Sequence, residues 1–327
     1  MGIPFAWINN WTSIKKDKEA CIMKKFPFLR KIYWSLYWGS WKALAIINPK
    51  LATKLRYKKC LGYYPNLSEP KTLNEKLQYL KLYVYKGNPL VKKCTDKYEV
   101  RNYVKEKGCA DILNELFYVY DNVDQIEFDK LPNSFVLKCN HGSGGNIICR
   151  DKTEINFDDC KSKLKKWMKT DFGLERVEYS YEGIKRKILC EKLIDTDDGL
   201  PPKDYKFFCS YGEPKLIFVA CDRYEGKTKF DYYTPEWEWI NVRNGHPNAG
   251  PIPKPHMFDK MKEYASTLSK DFPLVRVDLY CENNRIIFGE LTFLHFGGVT
   301  PFEPKEFDLK FGNLFPIENI LKMKKGK

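Results

Sequence analysis

Three short segments of this chain hold residues whose types and spacing suit chemistry. The first runs Phe135–Val136–Leu137–Lys138–Cys139, then Asn140–His141–Gly142–Ser143–Gly144–Gly145, then Asn146–Ile147–Ile148. A lysine closing a buried strand is costly unless it meets an anion. Glycines beside it let backbone N–H groups approach phosphate oxygens closely. Order and spacing exclude the GxxxxGK[ST] phosphate loop, because here the glycines lead into a strand and the lysine precedes them. A plain glycine-rich hairpin with a snorkelling lysine carries the same signature. In the second segment, Arg276–Val277–Asp278–Leu279–Tyr280 and Phe288–Gly289–Glu290–Leu291–Thr292 flank an Asn-Asn turn. Asp278 and Glu290 then fall on paired strands, and two inward carboxylates call for a cation between them. Hard oxygen ligands of this kind suit Mg²⁺ bound together with nucleotide phosphates. Arg276 shares a face with Asp278, so an Arg276–Asp278 or Arg276–Glu290 ion pair is the simpler alternative. The third segment, Ile188–Leu189–Cys190–Glu191–Lys192–Leu193–Ile194, is an apolar run ending in a charged pair, which alone reads as an ordinary strand edge.

The elements that must position these residues follow from periodicity. EPKTLNEKLQYLKLY and TDKYEVRNYVKEKGC read as helices within 50–115. Leu73, Leu77, Leu80 and Tyr83 keep a three-to-four spacing, Thr95 or Asp96 serves as a cap, and Gly108 as a stop. From 134 the period shortens. SFVLKCN, the glycine loop and NIICRDK form a strand–loop–strand unit. KSKLKKWMKTDFG reads as a helix ending at its glycine, and EYASTLSKD as another helix. RKILCEKLID, YKFFCSYGEPKLIFVACDR, LVRVDLYCENNR and RIIFGELTFL read as strands, several joined by glycine or Asn-Asn turns. The pattern is α+β with antiparallel hairpins and lacks the strand–helix repeats of a doubly wound sheet.

Composition narrows the class. The 327 residues include 43% hydrophobic, 30% charged and 15% aromatic residues, which excludes disorder. The net charge of +14 is uneven: residues 1–110 hold 23 Lys+Arg against 7 Asp+Glu, leaving 33 against 35 beyond them. A basic first third suits phosphates, an anionic polymer or an anionic membrane, and equally a solvated surface. The 11 cysteines are odd in number and form no CxxC, and His141, His246, His256 and His295 never stand at ligand spacing. This composition suits small core cysteines in a reducing cytoplasm. No apolar run is long enough to span a bilayer, and Met1–Ile14 lacks a basic signal-peptide region. Gly2 with Ala6 does not make a myristoylation site. Trp34, Tyr37, Trp38 and Trp41 share one helical face with Lys31 and Lys42 nearby. That face suits either a membrane surface, the inner face of the cell membrane, or packing on the main domain.

The succession matters more than any single segment: Asp96–Lys97, Lys138 with the glycine loop, CEKLI at 190–194, Asp204, RVD at 276–278 and GELT at 289–292. In this order the chain resembles the ATP-grasp superfamily, and specifically its TupA-like branch of bacterial surface-polysaccharide gene clusters. EPKTLNEKLQYLKLY, DKYEVRNYV, LPNSFVLKCNHGSGGN, DYKFFCSYGEPKLI and RVDLY…FGELTF carry the resemblance over residues 48–316. It implies an ATP-grasp fold with the nucleotide between two α+β subdomains and a helical N-terminal region. The expected divisions are an aromatic, basic extension at 1–49, a helical region at 50–133, a glycine-loop subdomain at 134–192 and a metal-strand subdomain at 193–327.

By resemblance, Lys97 and Lys138 hold ATP phosphates, and His141, Gly142, Ser143, Gly144 and Gly145 form the loop that closes over them. Glu191, Lys192 and Ile194 form the hinge around adenine, and Asp204 receives the ribose hydroxyls. Asp278 and Glu290 are the Mg²⁺ ligands, and Arg276 faces the transferred phosphate. Thr292 stands where these enzymes usually carry asparagine; its hydroxyl is still an oxygen ligand, with one ion held more loosely. The expected activity is an ATP-dependent carboxylate–amine ligase acting through an acyl-phosphate. Its acceptor would be a uronic acid or other acidic saccharide or polymer, joined to an amine in capsular or cell-surface polysaccharide biosynthesis. Arg223, Lys229 and His295 are candidates for the acceptor site, with His295 the best placed. A kinase acting on a sugar hydroxyl would need a base near His295. A non-catalytic module for anionic polymers is a third class, and the aromatics are not interleaved with basic residues as nucleic-acid binding requires.

Overall fold

The computed structural model describes residues 27–196, 199–222 and 228–325. Its helix ends follow local capping chemistry. After α1 (Pro27–Ile47), the Asn48 side chain accepts from Leu51 N, Pro49 takes the first helical position of α2 (Pro49–Leu61), and Gly62 closes it at φ 88°. A reciprocal Thr72–Glu75 box opens α3 (Leu73–Leu80), which buries Leu73, Leu77 and Leu80 and passes into a π turn at Lys81–Tyr85. Two short helices follow, α4 (Pro89–Thr95) and α5 (Val100–Glu106). The second starts later than the spacing suggests, because Asp96 accepts instead from Tyr98 N at 2.8 Å in the preceding turn.

A four-stranded antiparallel sheet comprises β1 (Leu116–Tyr120), β2 (Phe135–Cys139), β3 (Asn146–Cys149) and β4 (Ile188–Glu191) in the order β1-β4-β2-β3. Between β3 and β4, α6 (Phe157–Lys169) stops before the expected glycine. Asp171 opens α7 (Phe172–Arg176) by accepting from Leu174 N, which leaves Gly173 buried inside the new helix. Cys160 and Leu164 of α6 join Phe135, Leu137, Cys149, Ile188 and Cys190 in one core.

A six-stranded antiparallel sheet holds the larger core. Its members are β5 (Asp204–Ser210), β6 (Glu213–Cys221), β7 (Lys229–Tyr233), β8 (Trp239–Ile240), β10 (Val275–Glu282) and β11 (Arg285–Thr292), in the order β11-β10-β5-β6-β7-β8. The short β9 (Arg243–Asn244) pairs separately with β12 (Phe302–Glu303). Phe258, Met261, Ala265 and Leu268 of α8 (Phe258–Ser269) pack on the sheet, as do α3, α4, α5 and the C-terminal helices α9 (Glu306–Asn313) and α10 (Glu318–Lys325). The described cysteines are free, and no helix among the described residues is long and apolar enough to cross a membrane. Trp41, Leu44 and Ala45 of α1 pack with Val177 and Tyr179, whereas Leu36, Ile46 and Ile47 are exposed.

The LNEKLQ face of α3 locks the C-terminal region in place. Asn74 donates to Asp308 through both its backbone and side-chain nitrogens, and buried Lys76 donates to Gly312 O and Phe315 O at 2.9 Å each. The two elements touch so closely that a Cβ on Gly312 would lie 2.2 Å from Lys71 O and 2.8 Å from Leu73 N. Both contacts are backbone and cannot turn aside. Gly312→Ala is therefore expected to cost about 3 kcal/mol or more, read as a lowered urea midpoint. A loss below about 1 kcal/mol would show that α9 shifts freely against α3.

Candidate active site between the two sheets

The register of β10 and β11 sets Asp278 directly opposite Glu290 and Arg276 opposite Thr292. A bulge follows Asp278, with Gly289 as the extra residue; a Cβ there would meet the Asp278 carbonyl at 3.0 Å. On the other side β5 places Lys206 opposite Asp278. Asp278 is 1% exposed, and its carboxylate is satisfied by a bidentate fork from Arg276, Nε to Oδ1 and Nη2 to Oδ2, both 2.7 Å. Lys206 Nζ also meets Asp278, and Asp204 Oδ2 at 2.5 Å. Arg276 Nη2 reaches Thr292 Oγ1 at 3.0 Å and Glu290 Oε1 at 3.4 Å, and the Thr292 hydroxyl donates to Glu290 at 2.8 Å. The simpler ion-pair alternative therefore describes this conformation, and it places the expected metal ligands side by side.

His295 enters this network from behind. Its Nδ1 lies 2.8 Å from Arg276 Nη1 and its Nε2 2.9 Å from Asn244 Oδ1. Arginine only donates, so Nδ1 accepts and Nε2 carries the proton. Asn244 is oriented by its amide N–H bonds to the Thr300 and Pro301 carbonyls. Burial, then Arg276 and Lys206, push the His295 pKa well below its ordinary value, so the ring is neutral. Burial acts against Arg276, yet Asp278 beside it raises the guanidinium above its ordinary value.

The facing wall comes from the four-stranded sheet. Lys138 on β2 pairs with Glu191 on β4 at 2.7 Å, and Arg101 stands 3.9 Å from the same carboxylate. Lys97 links the two walls: its ammonium lies 2.5 Å from Gly142 O in the glycine loop and 3.6 Å from Glu290 Oε2 on β11. Asn140, fully buried, holds the loop in place. Its side chain donates to Asp96 and Lys185 O and accepts from Lys187 N, while its carbonyl accepts from Lys97 N. His141 is buried against Asn140 and Trp167 O, with its pKa lowered by burial and then by Arg186. Gly142 and Gly145 rest on the rings of Phe172 and Trp167, and Ser143 and Gly144 form the exposed tip.

The remaining candidates are less central. Lys192 is exposed, 4.0 Å from Glu115, with its backbone N–H and C=O bonded to Glu115 O and Asn114; Ile194 is half-buried in the segment after β4. Lys229 opens β7 and pairs with Asp222 at 2.8 Å. Arg223 lies outside the described residues. Sequence reasoning passed over four participants: Arg101, Asn140, Lys206 and Asn244. Lys206 carried a usable signal, since it stands two residues after Asp204 on a strand and so shares its face.

Residue chemistry also bears on whether a divalent cation fits. Burial alone would raise the Glu290 carboxyl, but Lys97, Arg276, Lys206 and the Thr292 hydroxyl bring it down to about 2, so it is ionised at any physiological pH. Among the described residues no group of three or more His, Cys, Asp or Glu side chains could hold a metal by protein alone. Two carboxylates and a hydroxyl fit a hard cation that also takes phosphate oxygens. Because the Glu290 pKa is depressed in the folded state, its contribution to stability is present above pH 4.5 and lost as pH falls towards about 2. The stability difference between the parent protein and Glu290→Gln is expected to shrink through that window in urea titrations. A pH-independent difference would mean that the charge contributes nothing.

Residues 75–316 match the TupA-like ATPgrasp family. No curated protein matches the chain. Solved structures resemble it at low identity. The D-alanine–D-alanine ligase of Bacillus anthracis complexed with ATP is 17% identical, covering 81% of this chain and 79% of that one, with a TM-score of 0.46. The D-alanine–D-alanine ligase of Helicobacter pylori is 16% identical, covering 77% and 66% of the two chains, at 0.41. The L-amino acid ligase of Bacillus licheniformis is 12% identical, covering 80% and 58%, at 0.40. With most of its length matched in order by the family, the chain belongs to the TupA-like ATP-grasp family.

Proposed function

We propose that the protein is an ATP-dependent carboxylate–amine ligase that activates an acidic saccharide or polymer as an acyl-phosphate and joins it to an amine, in the assembly of a cell-surface polysaccharide. The observation that carries this reading is the Lys97 bridge, which ties Gly142 of the glycine loop after Lys138 to Glu290 beside Asp278 and Arg276. In this reading Lys97 and Lys138 hold the ATP phosphates, and the hinge after Glu191 and Asp204 hold the nucleoside. Glu290, Asp278 and Thr292 would hold Mg²⁺, which when bound neutralises phosphate charge.

The substrate carboxylate oxygen attacks the γ-phosphorus and ADP leaves. The amine then attacks the acyl carbon, phosphate leaves, and the amine proton goes to solvent. Arg276, Lys97 and Lys138 stabilise the moving charge electrostatically. A closed 141–145 loop excludes water that would hydrolyse the acyl-phosphate. The environment of His295 favours this over hydroxyl phosphorylation. Both ring nitrogens are engaged, by Arg276 and Asn244, so no lone pair remains for a sugar hydroxyl. His295 orients Arg276 in this scheme. The basic charge of residues 1–110 suits an anionic substrate.

The test is trapping. With ATP, Mg²⁺, a uronic acid and hydroxylamine, the reading expects a hydroxamate formed in step with ADP release. A phosphosugar without hydroxamate would convert the assignment to a kinase. Lys138→Ala and Glu290→Ala are each expected to lower ATP turnover by at least about a thousandfold in folded protein, measured by coupled ADP release. Normal turnover in either would sink the assignment of the nucleotide and metal residues.

A further inference from the structure

The turn that follows β11 leads to a second buried cluster of charge. Phe296, Gly297 and Gly298 all take left-handed backbone, with φ of 48°, 66° and 64°. That run aims two consecutive carbonyls at Gln78, whose amide donates to Gly297 O at 2.9 Å and Gly298 O at 2.7 Å. There is no room for a side chain here, since a Cβ on Gly298 would lie 2.3 Å from Gln78 Nε2. Gln78 Oε1 in turn accepts from Lys81 Nζ, on a residue only 1% exposed. A Cβ on Gly297 would lie 3.3 Å from Glu178 Oε1 and 3.6 Å from Arg56 Nη2. Arg56 from α2, Gln78 and Lys81 from α3 and the π turn, and Glu178 from after α7 therefore converge on one turn.

Charge in this cluster is out of balance. Two basic residues, Arg56 and Lys81, stand near one buried carboxylate, Glu178, which flanks Gly297 together with Arg56, and Arg176 adds a further positive field. Arg56 Nε is buried and meets no acceptor among the described residues. An unsatisfied buried donor on a charged group is costly. Burial, reinforced by Arg56 and opposed by Glu178, pushes the Lys81 ammonium down to about 7. Burial likewise lowers Arg56 and raises Glu178.

The cluster also borders the cleft. His295 meets Arg276 at 2.8 Å, and two residues further along the same turn a Cβ on Gly297 would face Glu178 and Arg56, so the cluster adjoins the Arg276 network.

We propose that Arg56 and Lys81 form a subsite for a second, non-reacting carboxylate of the acid substrate, with Gln78 holding the 295–298 turn in place and Glu178 acting as the internal counter-charge that this carboxylate displaces. The proposal rests on the ligase reading for the identity of the substrate, and it narrows that substrate to acids with at least two carboxylates, such as adjoining acidic units of a polymer. Arg56 supplies a planar fork suited to bidentate recognition.

The probe is malonate, with sodium chloride at matched ionic strength as the reference, read as thermal stabilisation of the full chain without nucleotide. The parent protein is expected to gain a saturable increment with malonate over chloride. Arg56→Met should raise the half-saturating concentration about tenfold or more. Glu178→Gln, nearly isosteric and free of competing charge, should lower it about threefold or more. No malonate increment in the parent, or an unchanged midpoint in Glu178→Gln, overturns the proposal even if Arg56→Met fails to fold. A purely structural ion pair would make Glu178→Gln less stable without changing the malonate midpoint. The two readings fail separately. Malonate binding intact without hydroxamate formation removes the ligase and keeps the subsite, and hydroxamate formation without a malonate increment does the reverse.

Discussion

A carboxylate with 1% of its surface exposed stays charged in a protein interior only when cations reach it, and Asp278 depends on two. Two strands in fixed register deliver them. Arg276 comes from the same strand two residues earlier, and Lys206 from the strand opposite. The bulge at Gly289 then lets Glu290 sit beside Asp278. A one-residue slip of β10 would turn Arg276 and Asp278 to the other face together and leave Lys206 opposite an apolar residue. Register in the six-stranded sheet is therefore enforced by charge as well as by the aromatic core beneath it.

Arg276 is itself constrained from four sides, by Asp278, Glu290, Thr292 and His295. Asn244 closes the chain of hydrogen bonds behind His295, and its own amide is tied to the segment leading into β12. A guanidinium held this way is pre-organised, which matters for a group meant to meet charge that develops only during reaction. On the opposite wall the lysines are already paired, Lys138 with Glu191 and Lys97 with Glu290. In the proposed reaction, phosphate would take over these lysines from the carboxylates they now meet.

The N-terminal helices contribute in two ways. The α3 face locks the C-terminal helices through Asn74 and Lys76, and one turn further on Gln78 and Lys81 define the 295–298 turn. One amphipathic helix thus joins the end of the chain to the edge of the cleft. This explains why a segment that places no side chain in the Arg276–Glu290 network stands among the phrases that carry the family resemblance.

The sequence by itself determined the element types, the antiparallel hairpins and the pairing of Asp278 with Glu290, because strand alternation and turn residues act over a few positions. It also marked Lys138 and the glycine loop, whose composition is unusual at any position. Tertiary structure alone decided which groups neutralise one another. Lys97 reaches Glu290 although the two stand 193 positions apart in the chain, and Lys206, Asn140, Asn244 and Arg56 acquire their roles from partners far away in sequence. Helix ends followed the same rule. A local signal placed a stop at Gly173, yet Asp171 capped a new helix and buried that glycine. Short-range sterics and hydrogen bonding are written residue by residue, whereas charge balance in a buried cleft is a property of the assembled walls and exists only once the two sheets face each other.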